Sequence, residues 1–294
     1  MHKIPSRALR ALTRSLSSMS PAVHHNATAG FHNAKAYDAH RPSYPAHVVS
    51  SFLTDLGVAD RKGARVLEVA AGTGKFTEVL AARQEAFEVV STEPLESMRR
   101  ELERKGLAVD VKEGSATSLP VEDGWADVCI AAQAFHWFAH NDALREIRRT
   151  LKPEAPFGVI WNIEDYNKPA SWPASTPWEQ KLNELIWSLP PDGSPRFRNE
   201  AWKTVFLEQE REGAEKLFAT PLVEKSFRWT VWLDEAALLP RLKTLSQVAV
   251  LQGEAEEEFK SRFDEIMGSP EVQRDEEGRV PVSGVTFYAV TKRT

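Results

Sequence analysis

A single cysteine, Cys129, stands in these 294 residues, so no internal disulfide can form. It lies among apolar residues in a strand-like run and reads as packing rather than as a nucleophile. A chain without disulfides suits a reducing compartment. No stretch of about 18 apolar residues occurs, so no transmembrane helix is expected. Positive charge is not in excess: 37 Lys and Arg stand against 42 Asp and Glu, a net charge of −5. Without a basic field the bulk charge does not gather nucleic acid and favours a small-molecule or protein substrate. Acidic residues are absent from the N-terminus, where Asp38 is the first. Lys3, Arg7, Arg10, Arg14 and Lys35 precede it among scattered serines, with Leu9, Leu12 and Leu16 at helical spacing. This composition matches a mitochondrial transit segment, and a basic frayed tail is the alternative. His24, His25, His32, His40 and His47 match no ligand spacing, so no metal is expected.

Hydrophobic residues make up 42% of the chain, enough for a full core, and no internal repeat interrupts it. The most specific stretch is residues 66–77. Val66, Leu67 and Val69 form the apolar run of a strand covered on both faces. Ala70, Ala71, Gly72 and Gly74 form a turn that backbone and ligand can approach closely, and a helix begins near Phe76. A second strand over 87–92 ends in Glu93, 19 positions after Gly74. A carboxylate at that strand tip can accept hydrogen bonds from both ribose hydroxyls of a nucleoside. A dinucleotide loop would want a third glycine, which is missing here. Glu68, beside the loop, would repel a pyrophosphate and attract a cation.

Glu68, Gly72 and Gly74 resemble the first motif of the class I S-adenosylmethionine (SAM)-dependent methyltransferases, with Ala70 where the family usually has its first glycine. Further strands at 109–111, 125–132 and 157–161 and a helix over 141–150 follow in that family's order. The segments Tyr37-Asp38-x-x-Arg41-Pro42-x-Tyr44-Pro45 and Gln133-Ala134-Phe135-His136-Trp137-Phe138 are similar to the branch holding trans-aconitate methyltransferases and fungal small-molecule relatives. The resemblance covers residues 31–165. It implies SAM as cofactor, held by Glu68, Ala70, Gly72, Gly74 and Glu93. It also implies adenine contacts at Ser115 and Ala116, and a lid carrying Tyr37, Arg41 and Tyr44. Arg41 would face the cofactor carboxylate. Gln133, His136 and Trp137 are implied where cofactor and substrate meet, and His136 is the one positioned base candidate, the alternative being that it only hydrogen-bonds the substrate or a backbone carbonyl. The residues after the fourth strand lack the Asn/Asp-Pro-Pro-aromatic pattern of base amino-methylation, and Cys129 lacks the Pro-Cys setting of cytosine C5 chemistry.

The implied fold is α/β: a Rossmann-like, seven-stranded, mostly parallel sheet with helices on both faces and a helical cap inserted after strand 5. Four regions are expected: a disordered or transit segment (1–30), a SAM-binding core with an N-terminal lid (31–162), a substrate cap (163–220) and a completing C-terminal region (221–294). Helices are expected over 43–57, 177–188, 197–212, 234–246 and 254–267, and strands over 223–232 and 285–290. Seven of the nine tryptophans lie at or after Trp161. Large aromatics can line an apolar pocket, and Trp161 and Trp172 are the expected substrate contacts. Arg196 and Arg198 flank Phe197 and can pin a substrate carboxylate, although a solvated loop is the plainer reading. The expected function is methyl transfer to a small organic molecule at oxygen, a carboxylate ahead of a hydroxyl, in fungal-type secondary metabolism. A SAM-fold protein that does not methylate and a nicotinamide oxidoreductase are the alternatives. The expected state is a monomer or homodimer in the cytoplasm, or in mitochondria if the N-terminus is a transit signal, binding neither nucleic acid nor membrane.

Overall fold

Alternating apolar runs and amphipathic stretches give seven strands: β1 (Arg65–Val69), β2 (Glu88–Thr92), β3 (Asp110–Lys112), β4 (Val128–Ala132), β5 (Pro156–Glu164), β6 (Val223–Asp234) and β7 (Arg279–Lys292). The helices are α1 (Ala34–His40), α2 (Ala46–Asp55), α3 (Lys75–Ala81), α4 (Glu96–Arg104), α5 (Asn141–Thr150), α6 (Pro177–Trp187), α7 (Thr204–Leu207), α8 (Glu235–Leu242), α9 (Ser246–Ala249) and α10 (Glu254–Met267). The computed structural model describes residues 34–294, so the transit-like segment and His24, His25 and His32 lie outside the described residues. Among the described residues no helix is long and apolar enough to cross a membrane. No group of three or more His, Cys, Asp or Glu side chains there could hold a metal ion.

The sheet order is β3-β2-β1-β4-β5-β7-β6. The first five strands pair in parallel, and β7 runs antiparallel between β5 and β6. The fold is thus the mostly parallel, Rossmann-like sheet that the sequence implies. Strand side chains alternate between faces, and β1 divides accordingly. Val66 packs with Val48, Val49 and Phe52 of α2, while Leu67 and Val69 pack with Leu144 and Ile147 of α5. A third apolar cluster joins α6, α8 and α10 to the start of β7 through Trp178, Leu182, Leu238, Phe259 and Val282. Cys129 is fully buried, and burial pushes its thiol well above the ordinary range, which suits packing.

Gly158 sits where α2 crosses β5. A Cβ there would lie 2.6 Å from the Phe52 ring and 2.9 Å from Leu56. Both neighbours are buried and cannot yield without moving the helix. Gly158→Ala is therefore expected to destabilise the fold by about 1–3 kcal/mol through overpacking. In a thermal melt that is a drop of roughly 2–4 °C per kcal/mol. An unchanged Tm would show that the crossing is looser than drawn.

Several elements differ from the sequence reading. The last parallel strand is expected over 157–161 but runs to Glu164, because β7 pairs along its whole length as far as Glu164 with Gly284. β6 and β7 extend each other in the same way. The expected helix over 197–212 is a chain of single turns instead. Glu200 adopts a left-handed φ of 55°, which breaks the helical run between Phe197–Asn199 and Ala201–Lys203. The helix expected over 234–246 ends at Leu242, with Pro240 inside it, and α9 forms a separate turn.

A buried charge cluster fastens the C-terminal region to the lid. Glu164 is fully buried, and its Oε1 accepts from Arg241 Nη2 at 3.1 Å. Arg41 Nη1 lies 3.7 Å from its other oxygen. Burial alone would raise this carboxyl, but Arg241 and then Arg41 outweigh it and hold it below the ordinary value.

Candidate active site

The strand order reverses direction between β1 and β4, and a ligand crevice is expected outside the carboxyl ends of strands at such a point. A cleft of about 1060 Å³, open mouth included, lies there. Its floor is the 70–73 turn. Gly72 has a φ of 60°, and a Cβ at that position would meet no protein atom within 4 Å, so the glycine leaves open space against the backbone. Ala70 takes a left-handed φ of 56° without being glycine, a conformation that costs an L-residue about 1–2 kcal/mol. One wall comes from the tip of β2. Glu93 accepts the Gly72 N–H on Oε2 at 2.8 Å and the Leu95 N–H on Oε1 at 2.9 Å. Each carboxylate oxygen keeps a further lone pair. Burial pushes Glu93 up to about 7 against the pull of those two donors. Leu95, Met98, Ala116 and Phe138 add apolar surface.

The segment from α1 to the start of α2 lines the other side. Asp38 of α1 accepts from Thr73 Oγ1 at 2.7 Å and from Lys105 Nζ at 2.7 Å, which ties the lid to the loop and to the end of α4. Tyr37 and Tyr44 thereby line the cleft, and Tyr44 packs edge-on against Phe76 with centroids 5.0 Å apart.

A second cavity of about 560 Å³ adjoins the first, and both share Tyr37, Gln133 and Trp137. Gln133 follows β4 with a left-handed φ of 58°, and its side-chain amide donates to the Asn162 carbonyl at 2.8 Å. A strained residue at the junction of two cavities fits the tendency of such conformations to cluster at sites of function. The second cavity is lined by Arg41, Arg196 and Arg198 together with His136, Trp161, Phe197 and polar residues that include Gln247, and by no carboxylate among the described residues. Arg196 is compensated, since Asp192 accepts both its terminal nitrogens at 2.7 Å. Arg198 makes no ion pair among the described residues, although Asp192 lies near enough to stabilise its charge: its guanidinium lies over Trp187 at 4.3 Å, it donates to the Ile186 carbonyl at 3.4 Å, and its buried Nε has no hydrogen-bond partner among the described residues.

The structure brings most of the expected residues together. Tyr37, Tyr44, Ala70, Gly72, Glu93, Ala116, Gln133 and Trp137 line the first cavity. Arg41, His136, Trp161, Arg196 and Arg198 line the second. Arg41 thus stands away from the cofactor cleft, held by Glu164 and the Thr244 carbonyl. Four expected residues line neither cavity. Glu68 is buried beneath the loop, where Thr77 and Ser91 hydroxyls donate to Oε2 at 2.6 and 2.9 Å while Oε1 has no partner. Burial raises its carboxyl to about 7. Gly74 caps α3 at φ 84°, and a Cβ there would run into Leu102, so it serves packing. Ser115 lies outside the cleft, with its hydroxyl 3.3 Å from that of Thr117. Trp172 packs on Phe197 and Phe287, with centroids 5.9 and 6.4 Å away. Leu95 and Met98 are not among the expected residues, although they lie two and five positions after Glu93, and that proximity is the signal the sequence offers. Gln247 carries no local signal, since it reaches the cavity from the far end of the chain.

Comparison with known proteins agrees with this geometry. A methyltransferase-domain family matches residues 67–158. An uncharacterized methyltransferase-like protein of Schizosaccharomyces pombe is 34% identical over 169 residues, covering 58% of this chain and 61% of that protein. An uncharacterized methyltransferase of Mycobacterium tuberculosis is 32% identical over 155 residues, covering 53% and 56%. The chain thus spans little more than half the length of these curated relatives. The solved structure of a proposed type II methyltransferase from Anaeromyxobacter dehalogenans is similar in fold, with a TM-score of 0.54 at 21% identity over 85% of this chain and 97% of that one. With the loop, the acid at the tip of β2 and the sheet order in place, residues 67–158 carry a SAM-dependent methyltransferase domain, with SAM as its cofactor.

Proposed function

We propose that the protein transfers the methyl group of SAM to a carboxylate oxygen of a small organic anion. The observation that carries this reading is the second cavity, lined by three arginines and no acid, which opens beside the cofactor cleft through Tyr37, Gln133 and Trp137. When bound, SAM supplies an electrophilic methyl group on a sulfonium whose thioether is a good leaving group.

The chain's own residues supply position and exclusion of water. Glu93 is placed to accept the ribose hydroxyls, because its two oxygens are already aligned by the Gly72 and Leu95 N–H groups. The slot between Leu95, Met98, Ala116 and Phe138 suits a flat, apolar base. Tyr37 and Tyr44 cover the cleft from the lid. Arg198 holds the anion with a guanidinium that makes no ion pair among the described residues, and the 163–220 segment, which contributes it, serves as a substrate cap. A carboxylate attacks without losing a proton, so no base is needed.

Purified protein with SAM and a panel of aromatic, di- and tricarboxylic acids, alongside neutral alcohols and amines, tests the proposal. Release of S-adenosylhomocysteine is expected with acids alone, and the products should revert to the acid in mild alkali. Turnover confined to the alcohols or amines would overturn it.

A further inference from the structure

The indole of Trp161 is fully buried on β5, and its N–H donates to Nδ1 of His136 at 3.1 Å. An indole nitrogen donates only. The Nδ1 that receives it must therefore carry a lone pair, and the proton of the neutral imidazole sits on Nε2. Packing fixes the donor: Phe197 and Trp202 both lie against the Trp161 ring with centroids 4.9 Å away. His136 sits in the short turn Phe135–Trp137 just beyond β4, with its ring 5.5 Å from that of Trp137. Its Nε2 has no hydrogen-bond partner among the described residues, and the ring lines the second cavity. The ring borders the space where the acceptor would lie.

Protonation would turn Nδ1 into a donor aimed at another donor. Burial, and then the Arg196 and Arg41 guanidiniums, act in the same direction and hold the imidazole down to about 3. The remaining ionisable groups lining this cavity are Arg198 and Tyr37, and no carboxylate lines it to favour a cationic ring.

We infer that Trp161 is a positioning residue that fixes His136 as the Nε2–H tautomer, so that the imidazole serves as a neutral hydrogen-bond donor to the acceptor group and not as a general base. The inference rests on the second cavity being the acceptor site. It narrows the acceptor to a group that is nucleophilic without giving up a proton. One carboxylate oxygen forms the bond to the methyl carbon, and the carbon–sulfur bond breaks with its electron pair remaining on sulfur. The other oxygen keeps the hydrogen bond from Nε2, and no proton moves. A hydroxyl acceptor would have to lose its proton to a nitrogen already occupied by the indole.

The test is the ring ¹H–¹⁵N spectrum of the labelled full-length protein, with the His136 signals identified by their loss in His136→Asn. The expected spectrum shows a protonated Nε2 and an unprotonated Nδ1 with no titration between pH 5 and 9. In Trp161→Phe the lost donor should produce a mixture of tautomers. With an acid that turns over, this variant should lose on the order of 10-fold in kcat/KM while SAM affinity stays within 2-fold, since one ordinary hydrogen bond is worth about 1 kcal/mol. His136→Gln, whose amide still donates, should recover several-fold over His136→Ala; equal losses in the two would count against a donor. An Nδ1-protonated ring in the wild type, or a His136 titration near pH 6.5 that activity follows, would overturn the inference. The ring spectrum is read without substrate, so it reports the tautomer even if the acid screen fails, and the two failures can be told apart.

Discussion

Glu93→Ala is expected to weaken SAM binding by on the order of 100-fold. The carboxylate is placed to accept two ribose hydroxyls, and a hydrogen bond to a charged group is worth about 1.5–3 kcal/mol. Even the low end of that range for the pair amounts to about 3 kcal/mol, and each 1.4 kcal/mol is about tenfold. Glu93→Gln should fall between the two, because one amide oxygen still accepts while the amino group cannot. The wild type should also show a pH dependence. Burial raises the free protein's carboxyl to about 7, whereas hydroxyl donors in the complex favour the ionised form. Below pH 7 a proton must leave as the cofactor enters, so affinity should fall as pH drops from 8 to 6, by up to about tenfold per unit below 7. Glu93→Ala should be flat over the same range. Calorimetric titration at pH 6, 7 and 8 checks both statements, with a thermal melt to confirm that the variant is folded. Equal affinity in wild type and variant would remove Glu93 from the cofactor site.

Arg198→Met is expected to raise KM for a carboxylic acid substrate by about 10- to 150-fold and to leave SAM affinity within twofold. The side chain lacks a carboxylate partner among the described residues, and its buried Nε is unsatisfied. Burial first, and then Arg196, bring its guanidinium down to about 10 against the opposing pull of Asp192, so it is still charged at neutral pH. A partly desolvated cation without a counter-ion gains more from an incoming anion than one already paired. The expected range follows from the same 1.5–3 kcal/mol per charge-assisted hydrogen bond. Arg198→Lys should recover only part of the loss, since an ammonium keeps the charge but not the planar fork. Arg196→Met should cost less, because Asp192 already occupies both terminal nitrogens. Steady-state kinetics with the acid found in the screen decide the matter, and an unchanged KM in Arg198→Met would place the anion elsewhere.

The two predictions differ in how early they can be made. Glu93 can be picked out from its distance to the loop glycines, because a strand, a tight turn, a helix and a second strand need nearly fixed lengths to return to the same sheet edge. Arg196 and Arg198 look equivalent in the sequence, two arginines flanking Phe197. Only their surroundings distinguish them: Asp192 lies four residues before Arg196 and closes on it, while Trp187 and the end of α6 receive Arg198. Trp161 and Trp172 looked equally suited to substrate, yet Trp161 donates its N–H to His136 and Trp172 only packs on Phe197 and Phe287. The helix expected over 197–212 failed because apolar spacing alone does not reveal that Glu200 turns left-handed.

By itself the sequence determined the α/β order, the place of the glycine turn after β1, the carboxylate at the tip of β2 and the helix that precedes the core. Each of these is written in local spacing and in residue types whose backbone or charge properties travel with them. The tertiary structure decided which arginine has no ion pair among the described residues, which nitrogen of His136 receives the Trp161 N–H, and that a second cavity, lined by no carboxylate among the described residues, adjoins the first. Those properties depend on partners brought from distant parts of the chain by the pairing of β5 with β7 and the packing of the 163–220 segment. Charge compensation and tautomer are set by which atoms end up within about 3 Å of one another, and sequence spacing does not carry that information.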